Sequence, residues 1–463
     1  MSATSTTRSP ALGLAVIGLG ASLGPLDFSV TVAFPAITQA FALATSDIRW
    51  VAVWYVVSYG ALMLSFGALG DRIGHLRVFR LGLILSTLFN VLCALAPSYA
   101  SLLAMRALQG VAIALVLSCG PALAIGLFDE RMRTRALSGY AGIAALAAVT
   151  APLLGGASLA LLGWPGVYWF RVPIGLLALA CLPLLGREVG RIGAKARQPI
   201  DIAGSVLLSS AVAMFLLVPP MLRPGRAGWL VVPMALAGAL LMTMFVRRQR
   251  ASASPFLPHE VVRDADFIIA NLSSVAMQFA SFTVPLVVPF YLTRIAHCGP
   301  LATGALLAIW ASGSMLGSSF AARVVAARGA RSSAVLAAGL VVSGLIGMAC
   351  WPATTHYPFI ILSLVWHGVG IGLFQVAYSD MVVAALPPSA RGVAGSLTMV
   401  TRTVGIVMGA SAWIWMLQTL ESVGVAGGLA AEHAFVQSFD RVLWCAAAVA
   451  GLFSAVSYLR WRR

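Results

Sequence analysis

Apolar residues run along this chain in blocks long enough to cross a bilayer, separated by short polar segments. A transmembrane helix needs about 20 mostly apolar residues in succession. Fourteen segments meet that requirement: 11–36, 50–70, 78–97, 101–127, 136–162, 167–185, 202–222, 228–246, 267–293, 301–322, 333–351, 357–384, 393–419 and 441–459. The pattern therefore predicts an all-α membrane protein of about fourteen transmembrane helices. The leading segment Met1–Pro10 precedes a block that is too long for a signal-peptide core and contains Asp27, so it reads as part of a retained first span.

The basic residues orient these spans. With the N-terminus on the cytoplasmic side, the inward segments carry 22 Lys and Arg and the outward segments 5, while Arg106, Arg171 and Arg402 fall within spans. Cytoplasmic loops collect Lys and Arg, so both termini are expected in the cytoplasm and the chain in the cell inner (plasma) membrane. The most basic loops, 186–201 and 247–266, bracket spans seven and eight. Setting that pair aside leaves six spans on each side: a six-helix bundle over 1–186, two linking helices over 187–262 and a second six-helix bundle over 263–463. Such a plan suggests pseudo-symmetric halves with a substrate path between them. An internal echo agrees, since FGALGDRIGHLR follows span two and LGSSFAARVVAARGAR follows span ten, with Gly67 matching Gly317.

Composition narrows the function. Charged residues make up 10% of the chain, against roughly 25% in soluble domains, and hydrophobic residues 60%, which excludes a water-soluble domain of this length. The net charge of +16 does not point to nucleic acid, because the arginines sit in short runs beside apolar blocks and suit anionic lipid headgroups. The six cysteines are scattered through apolar segments without CxxC pairs or neighbouring His and carboxylates at ligand spacing, so they read as small packing residues. No metal or cofactor is expected. Neither a G-x-x-x-x-G-K-[ST] loop nor an HExxH motif is present, which argues against ATP as the energy source and against a metal-dependent hydrolase; no enzyme activity is expected.

Charges inside spans are costly in hydrocarbon and mark function by default. Asp27 is the one carboxylate deep in a span, and Arg106 lies at a compatible depth on span four. The two are expected to pair, Asp27 taking and releasing a proton and Arg106 favouring the ionised form until substrate or conformation separates them. Arg171 lies near a span end and is expected to snorkel to the interface. Arg402 sits mid-span. Surplus positive charge predicts a neutral, monocationic or anionic amphiphile as substrate rather than a dication. Span nine shows Asn271, Ser274, Gln278 and Phe282 at helical spacing, and span twelve Trp366, His367, Gly370 and Phe374.

The loop after span two reads Gly67-Ala-Leu-Gly-Asp71-Arg72-Ile-Gly74-His75-Leu76-Arg77. Its glycines suit a tight turn and close helix approach. Asp71 defies the positive-inside trend and is expected to dock at the N-terminus of span thirteen, where free N–H groups favour an anion. This string resembles the signature loop of the major facilitator superfamily, G-x-L-x-D-R-x-G-R-K/R, departing from it at His75 and Leu76. Arg106-Ala-Leu-Gln109-Gly110 resembles that family's R-x-x-Q-G motif, and Ala151-Pro152-Leu-Leu-Gly155-Gly156 its antiporter motif G-P-x-x-G-G, with Ala151 in place of the first glycine. Leu26-Asp27 through Phe34-Pro35 resembles the span-one segment of the fourteen-helix drug:proton antiporters, shorter by one residue. The resemblance implies a proton-coupled exporter of small amphipathic compounds working by alternating access, as a monomer. The loop would gate the cytoplasmic side, and Pro152, Gly155 and Gly156 would kink span five and close leak paths. The central cavity would be lined by spans one, four, nine and twelve, with Gln109, Asn271, Gln278, Phe282, Trp366, His367, Phe374 and Arg402 as candidate substrate contacts. A specific metabolite transporter of the same fold is the alternative, and a membrane sensor a remote one.

Overall fold

The computed structural model describes residues 10–128, 132–185, 202–221, 228–250, 264–351, 356–386 and 394–461. All regular elements among them are helices. Helix α1 (Pro10–Ala21) leads through a short turn into α2 (Ser29–Val32) and α3 (Phe34–Ala40). Then come α4 (Arg49–Ile73), α5 (His75–Ala94), α6 (Tyr99–Gly126), α7 (Arg133–Leu162), α8 (Gly166–Trp169) and α9 (Arg171–Cys181). A separate pair follows, α10 (Ile202–Met221) and α11 (Gly228–Arg250). The rest of the chain forms α12 (Ala265–Ser281), α13 (Thr283–Arg294), α14 (Pro300–Arg328), α15 (Ala330–Ala349), α16 (Tyr357–Ala385), α17 (Ala394–Ala426) and α18 (Ala431–Trp461).

Twelve helical segments among the described residues are long and apolar enough to cross a membrane. The number rises to thirteen if Phe34–Ala40 and Thr45–Met63, bent by 119° across their break, form one span. This is fewer than the fourteen expected, although a helix occupies each expected segment. The expected division points near 186 and 262, and the basic residues Lys195 and Arg391, lie outside the described residues.

Packing repeats along the chain. Helix α6 packs on α4 and α5, and α16 packs on α14 and α15 in the same manner. Each triple turns on a glycine: Gly74 (φ 98°) ends α4 and starts α5, and Gly329 (φ 79°) does the same between α14 and α15. Both lie where an L side chain is strained, so glycine is required for the turn. These turn glycines, rather than Gly67 and Gly317, mark the equivalent points. An added Cβ at Gly67 would meet open space, whereas one at Gly317 would lie 2.1 Å from the Val369 carbonyl oxygen. Helix α10 rests on both α4 and α17, with Ser65 Oγ 2.7 Å from Ser209 Oγ. Helix α11 leaves Val232, Leu236 and Leu240 more than 60% exposed, an apolar surface suited to acyl chains.

Candidate functional site

Span one breaks where its charge sits. Pro25 has no N–H to donate and follows Gly24, so α1 ends at Ala21 and a 3-10 turn over Pro25–Phe28 carries Asp27 before α2 resumes. Irregular backbone at membrane depth is stable only under protein cover. That cover comes from α7, on which Leu26 packs beside Ala147 and Ala151.

The Asp27 carboxylate accepts three charge-assisted hydrogen bonds. Arg106 on α6 binds it through both terminal nitrogens, Nη1 to Oδ1 at 2.6 Å and Nη2 to Oδ2 at 2.8 Å. The expected Asp27–Arg106 pair is therefore present. The third donor is Arg171, whose Nη1 lies 2.7 Å from Oδ1. This corrects the expectation that Arg171 snorkels: its side chain is 1% exposed, as is that of Arg106, while Asp27 retains 13%. The physical reason is the fold of the α8–α9 turn. Its closure buries the first residue of α9, and Arg171 Nε donates to the Val167 carbonyl at 3.0 Å. The available sequence signal was the spacing of Tyr168 and Arg171, three apart on one helical face; the Arg171 Cζ lies 5.2 Å from the Tyr168 ring centroid.

A buried ion pair holds only where further hydrogen bonds satisfy its remaining donors. Arg106 Nε donates to the Val51 carbonyl at 2.9 Å and Nη1 to Gln109 Oε1 at 2.6 Å. Gln109 in turn donates to Asn90 Oδ1 at 2.8 Å. The Tyr55 ring centroid lies 4.2 Å from Arg106 Cζ, within cation–π range. Gln109 thus orients Arg106. Within this cluster two buried atoms have no hydrogen-bond partner, Arg171 Nη2 and the Tyr168 hydroxyl. Two guanidinium groups face one carboxylate, so the cluster carries a formal surplus of one positive charge.

Pro152, Gly155 and Gly156 bring α7 against this site. A Cβ on Gly155 would lie 2.7 Å from Ser29 Cβ, two residues from Asp27, and one on Gly156 would lie 2.5 Å from the Pro300 carbonyl oxygen. Gly304 on α14 meets the Pro152 carbonyl in the same way, at 2.3 Å. Span five is thereby wedged between α2 and the start of α14. Close by, a cavity of about 800 Å³ is lined by Gln39, Trp164, Phe290 and Arg294. Arg294 binds Glu421 at 3.2 Å and Thr45 Oγ1 at 3.0 Å.

In the α4–α5 loop, Gly74 makes the turn and Gly70 the close approach, facing His75 and Cys119. Asp71, Arg72 and Arg77 are exposed. Among the described residues Asp71 Oδ1 lies 3.0 Å from His75 Nε2; the expected docking point at the start of span thirteen, residues 387–393, lies outside the described residues.

The second half supplies neutral polar groups. On α12, Gln278 donates to Gln375 Oε1 at 2.7 Å, and Asn271 accepts from the Tyr378 hydroxyl at 2.9 Å. Phe282 is buried beside Gly409. On α16, His367 is fully buried and its Nδ1 accepts from Trp310 Nε1 at 2.9 Å. Trp310 reaches toward Asp27 through an edge contact with Phe28, ring centroids 6.4 Å apart. Trp366 does not share that surface: it is 48% exposed and donates to Ser343 on α15. Consecutive positions on a helix point about 100° apart, so Trp366 and His367 face different neighbours. Phe374 stacks on Tyr378 and packs toward Ser273 and Ala334. Arg402, on α17, is half-buried with Nε unpartnered, and it is not among the ion-pair partners of Asp27 given above.

The profile of the family described as Major Facilitator Superfamily matches residues 11–410. The chain is 24% identical over 403 residues to the riboflavin transporter RibZ of Clostridioides difficile (strain 630), covering 86% of each protein. It is 26% identical over 400 residues to the tetracenomycin C resistance and export protein of Streptomyces glaucescens, covering 86% of this chain and 74% of that one. Among solved structures, a peptide transporter POT crystallised with sulfate shares the fold at a TM-score of 0.72 and 14% identity, over 96% of this chain and 94% of the other.

Proposed function

This chain belongs to the major facilitator superfamily, and we propose that it is a secondary transporter that exports small amphipathic compounds in exchange for protons by alternating access. Asp27 is the proton carrier. While Arg106 and Arg171 hold the carboxylate, the proton is excluded; a conformational change or substrate that draws an arginine away lets Asp27 take one up. The observation that carries this reading is the Asp27–Arg106 pair, bidentate at 2.6 and 2.8 Å inside the bundle. A charge kept there against its desolvation cost is most simply explained by work it performs.

The remaining assignments follow from the same cycle. Fourteen spans form two six-helix halves, 1–186 and 263–463, with the 187–262 pair beside them and both termini in the cytoplasm of an inner (plasma) membrane. The Gly67–Arg77 loop gates the cytoplasmic face. Pro152, Gly155 and Gly156 seal the opposite one, and Gln109, Gln278, His367 and Phe282 border the path. The exporter reading is supported by the likeness to the tetracenomycin C resistance and export protein. The riboflavin transporter relative favours a second reading, transport of one specific metabolite through the same site.

The test is Asp27→Asn in proteoliposomes that trap a pH-sensitive dye. Wild-type protein moves protons when members of a compound panel are added, and the variant does not. Undiminished proton movement in Asp27→Asn removes the carrier role. A response confined to a single compound class favours the metabolite reading.

A further inference from the structure

The Asp27 site holds one arginine more than its carboxylate neutralises. Arg106 alone already satisfies both oxygens. Arg171 adds one bond, at 2.7 Å, and brings a second full charge with it. Its Nη2 is buried without a partner, although an orphaned donor on a charged group costs several-fold in stability. No second carboxylate compensates: among the described residues, the ion pairs of Asp27 are with these two arginines only. A static ion pair has no use for the extra charge. A binding site does, because the free N–H of a guanidinium is a ready donor for an oxygen of a ligand.

We propose that Arg171 is the specificity-determining residue of the transport site: it shuts out cationic amphiphiles by leaving the site positively charged, and its Nη2 donates to an acceptor oxygen, carbonyl or acid, of the substrate. The inference rests on Asp27 being the carrier. With Asp27 ionised, the site bears a formal charge of +1; with Asp27 protonated, +2. In neither state does a cation find net attraction, and the low local dielectric strengthens that exclusion. Asp27 is the most exposed of the three side chains, and in this scheme the ligand comes in past it. A ligand that reaches Asp27 meets Arg171 next. Phe28, next to Asp27 in the chain, meets Trp310 edge-on, and these two half-buried rings would offer apolar surface to the rest of an amphiphile.

The experiment compares wild type, Arg171→Gln and Arg171→Lys in proteoliposomes loaded with a pH-sensitive dye. Three probes are used: chloramphenicol as an uncharged carbonyl compound, fluorescein as an acidic one and ethidium as a monocation. Wild type responds to chloramphenicol, fluorescein or both, and not to ethidium. Arg171→Gln loses affinity for the acceptor probes by on the order of tenfold, the loss of one charged hydrogen bond, and gains a response to ethidium. Arg171→Lys, which keeps the charge but not the fork, still excludes ethidium. Thermal melts of all three proteins verify folding. Selectivity in Arg171→Gln equal to wild type overturns the proposal, as does a wild type that accepts ethidium or ignores both acceptor probes. Asp27→Asn separates this from the carrier assignment: if it still moves protons, the carrier role of Asp27 fails; if it does not while Arg171→Gln keeps wild-type selectivity, only the role of Arg171 falls. Fluorescein entering together with a proton, rather than against one, overturns exchange and leaves the arginine filter standing.

Discussion

Gly156→Ala tests how the two halves close on each other. In the structure an added Cβ would lie 2.5 Å from the Pro300 carbonyl oxygen, 3.1 Å from Gly304 Cα and 3.2 Å from Leu301 Cα. All three are backbone atoms, so no rotamer change relieves the clash. Restoring ordinary contact requires α7 and the start of α14 to part by about 1 Å. Overpacking of this kind costs about 1–3 kcal/mol. Alanine meanwhile favours helix over glycine by roughly 0.5–1 kcal/mol, and it realises that gain wherever the helices have separated. The equilibrium should therefore shift toward the parted arrangement by roughly 5- to 150-fold. Gly142→Ala on the same helix is the control, since a Cβ there meets nothing within 4 Å. Spin labels at Leu161 and Leu301, 82% and 52% exposed, report the α7–α14 separation by pulsed dipolar spectroscopy after the six cysteines are replaced. A longer distance population in Gly156→Ala and none in Gly142→Ala is expected. An unchanged distribution in Gly156→Ala would refute the steric argument, because the contact would then have no control over closure.

Three further outcomes are expected. Arg106→Lys keeps one charge but cannot bind both Asp27 oxygens, Gln109 and the Val51 carbonyl together; initial rates of substrate-driven proton movement should fall by at least about tenfold, and a near wild-type rate would show that the fork is dispensable. Gly74→Ala forces an L residue to φ 98°, a strain of about 1–3 kcal/mol, which should lower the melting temperature of the purified protein; equal melting would contradict the turn's need for glycine. Asp266→Asn breaks the partly exposed bridges to Arg331 and Arg460, at 2.7 and 3.3 Å, and should change stability by no more than about 1 kcal/mol; a larger drop in a denaturant titration would mean the pair is more shielded than its exposure indicates.

What the sequence determined by itself was everything governed by transfer between water and lipid. Apolar block length and a 10% charged fraction demand a helical bundle in a bilayer, because helices satisfy their own backbone in hydrocarbon. An acid kept within such a block, Asp27, needs a cation at matching depth, and Arg106 lies at a compatible one. The turn at Gly74 and the wedge of Gly155 and Gly156 were legible too, since glycine spacing reports close approach directly.

Tertiary structure decided what depends on which neighbours meet. Arg171 reads as a snorkelling residue by its distance from a span end; only the folding of the α8–α9 turn carries it inward onto Asp27, 144 residues away. Trp366 and His367 share a sequence stripe, yet they face different partners, and Trp310, which no spacing marked, joins His367 to the side chain next to Asp27. The 119° bend before α4 is likewise a property of backbone path that composition does not encode. Pattern along a chain reports solvent preference one element at a time, whereas the charge balance of a buried site is set by several elements converging on one point.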